Sequence, residues 1–188
     1  MRSRIYLIRH GITEGNLRKW FYGSADIPLT EKGIAELKRL AEKRVYPRID
    51  EDADCYTTGL LRTEQTFEIL FGKRQRKVIA ELQEMNFGRY ECHSYEELKD
   101  DAQFSAWCWD ESGDAPLDGG ETRNQFGAER ASGISSSERA FSSPQRQGYC
   151  VGCYLSWRCD FCSDAAVISS GKEQSMGLDA GTGIWIQN

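Results

Sequence analysis

The sequence predicts an α/β fold, a sandwich in which helices cover a sheet whose strands pair in parallel. Short apolar runs alternate with stretches of helical periodicity over the first two-thirds of the chain, and strands separated by helices require crossover connections. The length, 188 residues, suits one domain. Hydrophobic residues at 39% and charged residues at 28% provide a core under a solvated surface, which excludes a disordered chain. Residues 1–188 are read as a single domain with an anomalous segment at about 131–163.

The elements follow in order. Ser3 to Ile8 is a short apolar run, the first strand, ending in Arg9-His10-Gly11. Thr13 and Glu14 suit a helix start as cap and dipole partner. Pro28-Leu29-Thr30 offers a second start, with Thr30 as the N-cap. Ile34, Leu37, Leu40, Ala41 and Val45 then recur at helical spacing, and Pro47 forces the stop. Ala53 to Thr57 is a second strand. Leu60 to Phe71 is a helix expected to bury Leu61, Phe67, Leu70 and Phe71, and Lys77 to Leu82 is a third strand. Ser94 to Trp109 reads as helical and aromatic-rich, and Glu121 to about Glu129 opens another helix after Asp118-Gly119-Gly120.

Residues 131–163 break the pattern. The Ser-rich stretch has neither a helical face nor clean alternation, and Cys150, Cys153, Cys159 and Cys162 follow with Trp157 and Arg158 between them. Ala165 to Ile168 is strand-like again.

Charge and cysteine content narrow the function. The chain carries 24 Lys and Arg against 29 Asp and Glu, a net charge of -5, so it lacks the basic footprint of a nucleic-acid partner. A few converging arginines still suffice to bind phosphate. No apolar run approaches the roughly 18 residues of a membrane span. The apolar run before Arg9 is shorter than the about 7–15 residues of a secretory signal, so a cytoplasmic protein without a membrane partner is expected. Seven cysteines are then free thiols by default. The two Cys-x2-Cys pairs lie closer together than the roughly 15–20 residues usual between zinc-ligand pairs, and a cluster of thiols is preferred to a metal site.

Arg9-His10-Gly11 falls at the carboxyl end of the first strand, where open α/β folds bind ligands, with Thr13, Glu14 and Asn16 close behind. Alone, that tripeptide is a surface histidine beside an arginine. The longer stretches say more. Leu7 to Asn16 together with Tyr22 to Gly33, Tyr56 to Thr66, Leu82 to Glu91, and Gly119-Gly120-Glu121-Thr122 form four ordered motifs that closely resemble the histidine phosphatase superfamily. The likeness is to its phosphoglycerate mutase-like branch with the Arg-His-Gly signature. It runs over about residues 3 to 130 and is nearest to the small phosphatases, of which the α-ribazole phosphatases are one type.

The resemblance implies a phosphoglycerate mutase-like three-layer sandwich with a mostly parallel central sheet. It implies a phosphomonoester hydrolase that acts through a phosphohistidine on a small phosphorylated metabolite, with no cofactor and no metal. His10 is then the nucleophile, because neutral imidazole escapes the repulsion between a phosphate dianion and an anionic nucleophile. Arg9 and Arg62 clamp the non-bridging oxygens with paired donors. Asn16 adds a neutral donor, and Gly11, Thr13, Tyr22 and Gly23 complete the substrate-binding set. Glu84 is the proton donor. The aromatic segment around Phe104, Trp107 and Trp109 is expected, by analogy, to cover the cleft.

The resemblance breaks at the family's second active-site histidine, usually in a Ser-His-Gly-Gly step. The chain has two histidines, His10 and His93, and His93 reads as a surface loop residue. The best match to the missing step is Ser163 to Ser169, with Asp164 where the histidine belongs, and an aspartate there would repel phosphate. The alternative function is therefore a catalytically impaired relative that binds phosphorylated ligands. A shifted reading frame over about 131–163 accounts for the lost periodicity, the gained Ser and Cys, and the lost histidine together; translation of the coding DNA in the other frames tests it.

Overall fold

The computed structural model describes residues 5–46, 48–49, 51, 53–140, 148–151, 177–178 and 184–187. A small central sheet is flanked by helices. Its strands are β1 (Ile5–Ile8), β3 (Asp54–Thr57), β4 (Lys77–Val78), β6 (Gly148–Val151), β7 (Gly177–Leu178) and β8 (Ile184–Gln187), in the order β4-β3-β6-β1-β8-β7. β6 runs parallel to both β1 and β3, β3 runs parallel to β4, and β8 is antiparallel to β1 and β7. A two-residue ribbon of β2 (Trp20–Phe21) and β5 (His93–Ser94) stands apart. No described helix is long and apolar enough to cross a membrane.

The helices obey their caps. α1 (Glu14–Arg18) starts at Thr13, whose hydroxyl accepts from the Asn16 N–H. α2 (Glu31–Glu42) starts at Thr30, whose hydroxyl accepts from the Gly33 N–H at 3.0 Å. It stops at Glu42, ahead of Pro47, with Arg44 in the left-handed region at φ 54°. α3 (Leu61–Phe71) has no cap from its own N-cap residue, Leu60. Asp26 supplies one from 35 positions upstream, its Oδ1 accepting from the Leu61 N–H at 2.6 Å.

Several expectations are corrected. Leu61 is exposed, because it is the first residue of α3 and lies off the face that buries Arg62, Thr63, Thr66 and Phe67; Leu70 and Phe71 are half-buried. The third strand ends at Val78. Both of its residues are exposed on an edge, and after Ile79 donates to the Thr57 carbonyl at 2.9 Å the chain turns into a 3-10 turn at Ala80–Leu82. The Ser94–Trp109 helix is two helices, α4 (Tyr95–Leu98) and α5 (Ala102–Cys108). Asp101 interrupts the run and caps α5 by accepting from the Phe104 N–H at 2.9 Å. The last helix, α6 (Arg123–Ala140), starts two residues later than expected and continues through the Ser-rich stretch to Ala140.

The same segment also yields β6, between β1 and β3, so part of it forms regular structure at the middle of the sheet. Asp164, Ala165–Ile168 and three of the four clustered cysteines lie outside the described residues.

Two apolar clusters carry the fold among the described residues. Tyr6, Ile8, Cys55 and Phe67 join the sheet to α3. Met85, Phe87, Tyr90, Leu98, Phe104, Trp107 and Leu117 fill the 85–117 excursion. Phe104 and Trp107 are fully buried there in a network of tilted and edge-on rings, and Trp109 is exposed. Phe104 and Trp107 therefore belong to the core and not to a cleft cover, since rings of that size are worth most when wholly removed from water.

Candidate active site

His10 follows the carboxyl end of β1 and is buried, while its neighbour Arg9 is exposed. Its Nδ1 lies 2.6 Å from the Gly11 carbonyl oxygen. A carbonyl only accepts, so Nδ1 carries the proton and the lone pair of the neutral ring is on Nε2. Burial lowers the ring's pKa from 6.5 to about 3; the Gly11 hydrogen bond opposes this, and the charges of Arg62 and Arg9 add to it. The imidazole is therefore held neutral near pH 7. Gly11 is tied to α3 in turn: its N–H donates to Thr66 Oγ1 at 3.0 Å, and that hydroxyl donates to the Arg62 carbonyl at 2.7 Å.

Arg62 is fully buried in the first turn of α3. Nη1 donates to the Ala25 carbonyl at 2.8 Å and Nη2 to the Gly23 carbonyl at 2.7 Å. Its guanidinium carbon sits 5.1 Å from the Tyr22 ring centroid, and the Tyr22 ring lies edge-on to His10 at 6.4 Å. Among the described residues Nε has no partner and no carboxylate pairs with this cation. Arg9 likewise forms no ion pair among the described residues. A buried cation whose hydrogen bonds go only to neutral carbonyls has the charge to receive an anion.

Asn16 is oriented from behind. Its Oδ1 accepts from the Thr13 N–H at 2.9 Å and the Thr13 hydroxyl at 3.0 Å. With that oxygen occupied, Nδ2 is the end left to donate. Because the Thr13 proton goes to Asn16, Tyr22 donates its own hydroxyl proton to Thr13 at 2.7 Å.

The Glu84 backbone lies against Gly23. The Glu84 Oε1 is buried without a hydrogen-bond partner among the described residues, a costly state for a carboxyl oxygen that a ligand would relieve. Gly23 explains its placement: a Cβ there would stand 1.8 Å from the Met85 carbonyl oxygen, so the Tyr22–Gly23 backbone can lie directly on Glu84–Met85. Gly88, at φ 56°, performs the same service against the Asp118 carbonyl. Glu121 then accepts from the Asn86 N–H at 2.6 Å, so the Gly-Gly-Glu-Thr step anchors the segment carrying Glu84.

The structure thus gathers His10, Gly11, Thr13, Asn16, Tyr22, Gly23, Arg62 and Glu84 around one locus, with Arg9 acting on His10 through its charge. His93 is exposed on β5, its Nδ1 on the Glu91 carbonyl at 2.8 Å. No group of three metal-ligating side chains occurs among the described residues. Sequence reasoning missed Glu91 and Asp26, whose partners lie far away in the chain; the signal at Glu91 was only its place in the Leu82–Glu91 motif.

Comparison with known proteins bears on the family and the fold. The model of the histidine phosphatase superfamily (branch 1) matches residues 5–144. The adenosylcobalamin/alpha-ribazole phosphatase of Salmonella typhimurium is 32% identical over 120 residues, 62% of this chain and 58% of the relative. The chain therefore spans well under two-thirds of the length of such relatives. Among solved structures, a putative alpha-ribazole-5'-P phosphatase from Escherichia coli superposes with a TM-score of 0.69 at 27% identity, covering 81% of this chain and 74% of that one. A phosphoserine phosphatase from Entamoeba histolytica, in complex with 3-phosphoglyceric acid, superposes with a TM-score of 0.66 at 26% identity over the same shares.

Proposed function

The chain belongs to the histidine phosphatase superfamily, branch 1, and from that premise we propose that it hydrolyses a small phosphomonoester through a phosphohistidine at His10. One observation carries the reading: a buried imidazole held neutral, with its proton committed to the Gly11 carbonyl and two guanidinium charges acting on it. In this reading the Nε2 lone pair attacks phosphorus while the bond to the ester oxygen breaks. Arg9, Arg62 and Asn16 hold the non-bridging oxygens, with Gly11, Thr13, Tyr22 and Gly23 as the frame. Glu84 gives its proton to the departing alkoxide. It then takes one from the water that attacks phosphorus and breaks the P–N bond, which releases phosphate and restores His10. Positioning and charge stabilisation provide most of the rate in such transfers.

The relatives' names, alpha-ribazole phosphatase and phosphoglycerate mutase among them, support a small phosphorylated metabolite as substrate. Three parallel strand pairings against two antiparallel ones among the described residues of the central sheet support the three-layer sandwich with a mostly parallel sheet, and a cytoplasmic setting is part of the same proposal. The domain reading, one unit over 1–188, stands with this proposal.

The test is steady-state hydrolysis of p-nitrophenyl phosphate by the chain and its His10→Ala variant, with acid-stability analysis of any phosphoprotein formed. Turnover lost in the variant, with an acid-labile phosphoryl group on the parent, is the expected result. A second reading is favoured by one observation: the only other histidine is exposed on β5. On that reading the chain binds phosphorylated ligands and turns them over little. Equal background rates in both proteins, with phosphate still bound, would establish it.

A further inference from the structure

Arg62 poses a charge problem that its own contacts leave open. It is fully buried and touches two neutral carbonyls. Burying a cation without a counter-charge is costly, yet a carboxylate bound directly to the guanidinium would occupy the donors that phosphate needs.

Glu91 resolves the conflict from one peptide away. Its carboxylate accepts from the backbone N–H groups of Gly23 (2.9 and 3.1 Å), Ser24 (3.1 Å), Ala25 (3.2 Å) and Phe87 (2.9 Å), and from the Ser24 hydroxyl at 3.1 Å. The Ser24 N–H and the Gly23 carbonyl belong to the same peptide unit. Arg62 Nη2 donates to that carbonyl, the peptide conducts the polarisation, and its N–H donates to Glu91. Hydrogen bonds in series strengthen one another, so the negative charge makes the Gly23 carbonyl a better acceptor for the cation. Phe87 lies on the segment that carries Glu84, so the same carboxylate fixes the Arg62 loop relative to Glu84.

We infer that Glu91 is a positioning residue, the counter-charge of Arg62 across the Gly23–Ser24 peptide, which fixes the guanidinium without occupying its anion-facing donors. The inference rests on the reading of Arg62 as a phosphate ligand.

The experiment measures binding of inorganic phosphate by calorimetry for the full chain and for E91Q, R62Q and the double variant, with urea unfolding of each alongside. E91Q removes the charge at nearly constant size. Its phosphate affinity should fall about tenfold to a hundredfold, the range for a hydrogen bond to a charged group. The decisive result is the double variant: if Glu91 acts through Arg62, E91Q has no further effect once R62Q is present, whatever it does to stability. Losses that multiply independently, or an E91Q affinity equal to the parent's, overturn the inference and leave the phosphatase reading intact. A parent chain that binds no phosphate overturns both. If E91Q does not fold, E91D retains the charge at shorter reach; a reduced affinity that disappears in the R62Q background supports the inference, and an unchanged affinity overturns it.

Discussion

At the scale of single residues, the neutrality of His10 has a thermodynamic consequence separate from catalysis. Its folded pKa, about 3, lies below the ordinary 6.5, so between those values the unfolded chain binds a proton that the folded chain refuses. Stability then falls as pH drops below about 6.5. At about pH 5 the expected loss from this group is on the order of 2 kcal/mol relative to neutral pH. Urea midpoints of the parent and of His10→Gln at both pH values check this: the variant, which has no ring to protonate, should show the shallower acid slope, and parallel slopes would refute the buried neutral ring. Cys92 is informative at the same scale. It adopts φ 62°, in the region glycine tolerates best.

At the scale of elements, what could be read from the sequence was set by whether a signal was local. α2 was legible because Thr30, its cap, adjoins its own apolar stripe. The proposed site residues could be named from the sequence because each sits inside a contiguous motif. α3 could be seen but not its cap, since Asp26 reaches Leu61 across 35 positions, and Glu91 reaches Gly23 across 68. The third strand reads longer in the sequence than it is because Ile79 and Leu82 are apolar, a feature that a 3-10 turn shares with a strand. The Asp26 cap gives a prediction at this scale. Asp26→Ala should cost about 1 kcal/mol, the usual value of a lost N-cap, seen as a lower urea midpoint. Asp26 also borders the loop whose carbonyls hold Arg62, so phosphate affinity should fall with it. An unchanged midpoint would mean that α3 needs no cap.

At the scale of the whole molecule, the two halves of the site hang from a strand that the sequence pattern did not reveal. Gly148 to Val151 has no alternation, and a short strand paired in parallel on both edges need not show one. Yet β6 is the strand that joins β1, which leads into His10, to β3, which leads into Arg62: Leu7 and Tyr56 are both paired with Cys150 in register. Without it β1 and β3, which lead into His10 and Arg62, have no common neighbour in the sheet. Cys150→Pro tests this directly, because proline removes a ladder donor in the sheet interior and is essentially excluded from central strands. The expected result is a collapse of cooperative urea unfolding, with loss of phosphate binding in the same samples. If the variant unfolds with the parent's midpoint and still binds phosphate, β6 does not hold the two halves together, and the regular structure found inside the anomalous segment has no part in building the site.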